Sequence, residues 1–91
     1  MRLNIFGKYV PVVYKDLTGE DSDKMAYYDS EDQVIYVDSP NKDDLNLLCH
    51  EIVHAMRDRL HIQMDDGLEE QLAQNVADVI TDNFNLSLKH E

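Results

Sequence analysis

The strongest constraint on this chain is a change of rhythm at Ser39-Pro40-Asn41. Before it, apolar residues fall in the short alternating runs of half-buried strands; after it, they recur every three or four residues, the helical period. Leu3 and Ile5, then Tyr9, Val10, Val12, Val13 and Tyr14, are β-formers interrupted by Gly7 and Pro11, which predicts two short strands around a turn. Residues 16–24 are polar and read as a loop. Met25 to Val37 reads as a hairpin turning near Ser30–Asp32, with Val34–Val37 as its second strand. Beyond the break, Ser39 or Asn41 is expected to cap a helix whose first turn carries Asp43 and Asp44. Its apolar positions are Leu45, Leu48, Ile52, Ala55, Met56 and Leu60, and Arg57, Arg59 and His61 place positive charge at its C-terminal end. A second helix is expected after Asp65-Asp66-Gly67, ending near Asn83. Strands first and helices after predict an α+β fold: a small antiparallel sheet of three to four strands followed by two helices, as one domain over residues 1–91.

A helix puts residues four apart on one face, so His50 and His54 stand one above the other. Two imidazoles so placed can grip one divalent ion, with bonds of about 2.0–2.1 Å for zinc. Glu51 follows the first histidine, which sets its carboxylate beside such an ion, where it can take a proton from a water acidified toward a pKa of about 7. His50-Glu51-Ile52-Val53-His54 therefore holds the parts of hydrolytic zinc chemistry. With four histidines and six glutamates in 91 residues, such a match arises by chance in about one shuffled chain per hundred. Its weight here comes from its setting on a helix that follows a strand and precedes a second helix.

That second helix supplies the third ligand, and the residues leave two choices. A stripe centred on Leu72, Val76 and Val79 puts Glu69 inward, whereas Ala73, Val76, Ala77 and Ile80 leave Glu70 at the inward edge. His61, seven residues after His54, returns close to the same face and is either a ligand, a substrate contact or a solvated residue at the helix end. Cys49 points about 100° from His50 and reads as a small buried hydrophobe. Tyr27, Tyr28 and Tyr36 lie on the hairpin next to the metal helix, where a hydroxyl could stabilise an oxyanion, but packing is the better account of each and none is assigned a catalytic role. The acidic stretch with Asp16, Asp21, Asp23, Asp29 and Asp32 lacks the spacing of a calcium loop and reads as solvated.

The run Leu47-Leu48-Cys49-His50-Glu51-Ile52-Val53-His54-Ala55, with Glu70-Gln71-Leu72-Ala73-Gln74-Asn75-Val76-Ala77, resembles the gluzincin class of zinc peptidases. Within that class it is similar to short HExxH proteins encoded by phages and mobile elements, and more distantly to ImmA/IrrE-type peptidases. The resemblance implies a minimal zincin-like metallopeptidase domain with zinc as cofactor and a protein or peptide as substrate. Its ligands would be His50, His54 and Glu70, its general base Glu51, and its location the cytoplasm, that of the host cell for a phage-encoded chain. The chain differs in carrying Val53 where ImmA-like helices have Gly before the second histidine. It also ends soon after the second helix, where larger gluzincins add a subdomain that completes the cleft, so the resemblance does not define the extent of the substrate site.

Charge and composition narrow the partners. A net charge of −11 opposes non-specific binding to nucleic acid, which relies on Lys and Arg against phosphates. The sequence shows no stretch near the roughly 20 apolar residues of a membrane span and no signal-peptide pattern at Met1–Gly7. Cys49 is the one cysteine, which excludes an intramolecular disulfide and fits a reducing compartment. The competing reading is a non-catalytic module in which zinc, closed by a fourth ligand such as His61, stabilises a small protein-interaction domain. A plain α+β interaction protein with an accidental motif is the third.

Overall fold

A computed structural model describes residues 1–17 and 25–87 of the chain. Four strands, β1 (Arg2–Ile5), β2 (Lys8–Lys15), β3 (Ala26–Asp29) and β4 (Val34–Asp38), form one sheet in the order β1-β2-β4-β3, and two helices follow, α1 (Leu45–Arg59) and α2 (Asp66–Asn83). The fold is α+β, as the change of rhythm predicts.

β1 and β2 form a tight antiparallel hairpin through Phe6 and Gly7, both with positive φ (56° and 81°), the backbone sense that matches strand twist. The Asn4 side chain accepts from Gly7 N at 2.8 Å and closes the turn. Pro11 lies inside β2 rather than breaking it. Val12 N donates to Met1 O, so the neighbouring Arg2–Pro11 pair is a non-hydrogen-bonded one, and β1 asks nothing of the missing N–H. From Val12 onward β2 pairs with β4 instead.

That second pairing is parallel, so the sheet is mixed and not wholly antiparallel as expected. The reason is burial. In β4, Ile35 and Val37 are almost fully enclosed, whereas every residue of β3 is half-buried. The hairpin therefore inserts with its more apolar strand beside β2, and β3 takes the edge. The loop expected over 16–24 lies outside the described residues from position 18 onward. Asp29 caps the β3–β4 turn by accepting from Glu31 N and Asp32 N, at the position the sequence predicts.

One sheet face carries Val10, Val12, Ile35 and Val37, which with Ile5, Leu48 and Ala55 make the core beneath α1. The opposite face carries Tyr9, Val13, Tyr27 and Tyr36; the last two rings stack at 5.0 Å. α1 begins later than predicted. Ser39–Asn41 forms a 3-10 turn with Pro40 in its first turn, and Asp44 is the cap of α1, accepting from Leu47 N at 3.0 Å. Neither Ser39 nor Asn41 caps this helix, and no acidic residue occupies its first turn. α2 is capped by Asp65, which accepts from Leu68 N. It packs against α1 through Ala73 and Ala77, both fully buried. Leu68, Leu72 and Val79 face outward, so of the two apolar stripes it is the alanine one that turns in. Among the described residues no helix is long and apolar enough to cross a membrane.

Candidate metal centre

Antiparallel packing of α1 on α2 sets a ladder of polar contacts along one side of the helix pair. At one end Asn46 Nδ2 donates to Asp78 Oδ1 and Thr81 Oγ1, each at 3.0 Å. Gln74 Nε2 donates to Asp78 Oδ1 at 2.7 Å and to Asn46 Oδ1 at 3.1 Å. Further along come the histidines. His50 Nε2 lies 3.1 Å from Glu70 Oε2 and His54 Nε2 lies 2.9 Å from Glu70 Oε1, while the two Nε2 atoms are 3.2 Å apart. The other ring nitrogens point away from this centre: His50 Nδ1 lies 3.0 Å from Gln74 Oε1, and His54 Nδ1 meets Glu69 Oε2. The far oxygen of Glu69 is 2.7 Å from Arg57 Nε, an ion pair off the line of a good hydrogen bond.

These partners fix what faces inward. Because Gln74 donates its amide N–H groups to Asn46 and Asp78, its oxygen is left to accept; a carboxylate only accepts. Each neutral imidazole then carries its proton on Nδ1 and directs an Nε2 lone pair at the other ring and at Glu70. In the neutral form of the rings, two lone pairs and a carboxylate converge on one point, a donor set that could hold a cation. The spacing suits one: tetrahedral bonds of 2.0–2.1 Å place ligand atoms about 3.3 Å apart, and these stand 2.9–3.2 Å apart. His50, His54 and Glu70 are the residues that could hold a metal, and the acidic stretch forms no second such group among the described residues.

The two glutamates take different places. Glu70 is the rim residue, its side chain 63% exposed, with both oxygens turned to the Nε2 atoms. Glu69 is only 12% exposed, and both of its oxygens are engaged elsewhere. Glu51 is buried and, with the two histidines, lines a cavity of about 570 Å³ between β3 and the helix pair.

Other candidates fall away from this cluster. His61 lies beyond the last turn of α1 with φ 54°, exposed to solvent. Cys49 is half-buried and burial raises its thiol pKa, so it stays a protonated small apolar group. The Tyr28 hydroxyl donates to Asp58 at 2.7 Å, while Tyr27 and Tyr36 face the far side of the sheet. Asp21 and Asp23 lie outside the described residues. Gln74 and Arg57 join the cluster although the sequence pattern does not mark them as part of it. Gln74 follows Glu70 by four and Arg57 follows His54 by three, spacings that share a helix face, so a search for partners of the histidines among polar residues at those spacings finds both.

A free edge on the strand that leads into α1, Val34–Val37, would suit an extended peptide. β4 is paired on both sides, so that edge is taken, and the strand bordering the cavity is β3. Asp38 N donates to Met25 O, which makes residues 25, 27 and 29 the hydrogen-bonded partners of β4. The main-chain groups of Ala26 and Tyr28 consequently point away from β4.

Compared with known proteins, the chain matches no family model, no curated protein and no solved structure.

Proposed function

We propose that this chain is a zinc-dependent peptidase in which His50, His54 and Glu70 hold the ion and Glu51 is the general base. The observation that carries the reading is the convergence of two Nε2 lone pairs and the Glu70 carboxylate on one point beside a cavity. Zinc held there supplies a Lewis acid and lowers the pKa of a water to about 7. Glu51, one residue after the first ligand, takes the proton from the attacking water and passes it to the leaving amine nitrogen. An extended segment of protein substrate adds to β3 through the main chain of Ala26 and Tyr28, which brings its backbone along the cavity. The acidic surface favours neutral or basic segments. The resemblance to gluzincins of phages and mobile elements agrees with this chemistry, and the lone cysteine fits work in a cytoplasm. A purely structural zinc needs a fourth protein ligand. Among the described residues only three ligating side chains meet, and His61 is not one of them.

The test pairs zinc content with turnover of an unstructured protein substrate, for wild type and Glu51→Gln. Wild type should carry near-stoichiometric zinc and cleave. The variant should keep its zinc and lose turnover by about 10²–10⁴-fold. Equal turnover would remove Glu51 from the mechanism, and a wild-type protein that takes up no zinc would remove the metal.

A further inference from the structure

The contacts around Glu69 go beyond what holding an ion requires. This buried carboxylate stands immediately before the proposed ligand Glu70 and reaches past the centre to the back of His54. A buried carboxylate is costly unless paired, and Arg57 supplies the opposite charge from the last turn of α1, three residues after His54. α1 therefore presents both His54 and Arg57, and α2 inserts one carboxylate between them. Its second oxygen meets the imidazole nitrogen of His54, which satisfies the buried carboxylate and orients the ring at once. His50 offers an internal contrast: its Nδ1 partner is the neutral and exposed Gln74.

We infer that Glu69 is a positioning residue for His54, holding the ring in its Nδ1–H form with Nε2 turned to the ion, and that Arg57 anchors Glu69 in that task. The inference rests on the metal reading above. A carboxylate accepts only, so its contact with Nδ1 calls for a proton there, and in the neutral ring that leaves Nε2 bare. A charged acceptor also makes the ring a stronger donor to a metal than a neutral amide does, and it fixes the ring's tilt. His54 is thereby the more firmly built of the two histidine ligands, and the adjacent pair Glu69–Glu70 divides its labour: one carboxylate for the ring, one for the ion.

The experiment measures zinc affinity by competition with a chromophoric chelator for wild type, Glu69→Ala, Glu69→Gln, Arg57→Met and Glu70→Ala. The thermal stability of each metal-free protein is recorded alongside. NMR of the imidazole nitrogens in the wild type reads which one carries the proton. Glu69→Ala should weaken zinc binding about 10–100-fold. Glu69→Gln, whose amide oxygen still accepts from Nδ1, should recover part of that loss, and Arg57→Met should weaken binding less than Glu69→Ala does. His54 should carry its proton on Nδ1 with and without zinc. Zinc affinity of Glu69→Ala within about twofold of wild type, together with lowered metal-free stability, would reduce Glu69 to a structural ion pair and leave the metal reading intact. Loss of all binding in Glu69→Ala with none in Glu70→Ala would make Glu69 the ligand and overturn the inference. A proton found on His54 Nε2 would overturn it too, and that readout needs no variant to fold. Absence of zinc binding by the wild type would instead overturn the reading beneath.

Discussion

Tyr28 shows how a single side chain can be near a site without belonging to its chemistry. Its hydroxyl donates to Asp58 across the junction of β3 and α1. Its pKa is pushed up to about 12, first by burial, then by that hydrogen bond and the Asp58 charge. A tyrosine whose folded pKa lies above the ordinary 10 contributes its stability fully below pH 10 and loses it as pH rises toward about 12, since the unfolded chain ionises first. Tyr28→Phe should cost about 1 kcal/mol at neutral pH. Its melting temperature should then fall less steeply than that of wild type between pH 10 and 12. Parallel curves for the two proteins would mean that the Tyr28–Asp58 bond does not stabilise the fold. From sequence, Tyr27, Tyr28 and Tyr36 were equivalent candidates, because the strand alternation that separates them is visible only once the covered face is known. His50 and His54 were legible as a pair because a spacing of four along one helix is itself the geometry of their contact, whereas Glu70 stands on the other helix and was set apart from Glu69 only by resemblance. The work of Glu69 was not legible: it depends on Arg57, which sequence spacing ties to His54 but not to α2.

At the scale of elements, both helices, all four strands and the end of α2 near Asn83 can be read from periodicity and breakers, while faces and the start of α1 cannot. In α2 the bulky residues Leu68, Leu72 and Val79 compete with Ala73 and Ala77 for the inward stripe, and the alanines win. Hydrophobicity ranks leucine higher, but close approach of two helices selects small side chains, and it is close approach that lets Glu70 reach both histidines. The cap was misplaced for a comparable reason. Pro40 directs Ser39–Asn41 into a 3-10 turn, and the first residue able to accept from the new helix is Asp44. Ala73→Leu tests the spacing argument. Overpacking a buried contact should cost about 1–3 kcal/mol and lift α2 from α1. Zinc affinity should fall with it, because Glu70 lies three residues upstream on the displaced helix. Leu72→Ala, one position away but exposed, should stay within about 0.5 kcal/mol and bind zinc as wild type does. Comparable zinc affinity in Ala73→Leu would show that α2 has slack and that the alanines do not set the site.

For the whole molecule, the parallel pairing of β2 with β4 was beyond the reach of local pattern, because it depends on which strand of a distant hairpin slots in beside β2. The resulting architecture is uneven. The sheet and α1 share one apolar core, whereas α2 adds only Ala73 and Ala77 as fully buried apolar residues and is otherwise held by half-buried contacts and the polar ladder. The proposed ion bridges this seam, which is poor in buried apolar side chains, joining His50 and His54 of α1 to Glu70 of α2. Binding energy at such a seam becomes folding energy. Zinc at about 100 times its dissociation constant should add about 2.7 kcal/mol, which for a chain of this size raises the melting temperature by roughly 10–20 °C. The effect should vanish in His50→Ala. It should also be unevenly distributed: in hydrogen exchange, zinc should slow the amides of α2 more than those of β2 and β4, since α2 is the element most able to open by itself. A shift of equal size in His50→Ala would place the binding elsewhere. Equal slowing across α2 and the sheet would mean that the chain already unfolds as one unit, with no weak seam for the ion to close.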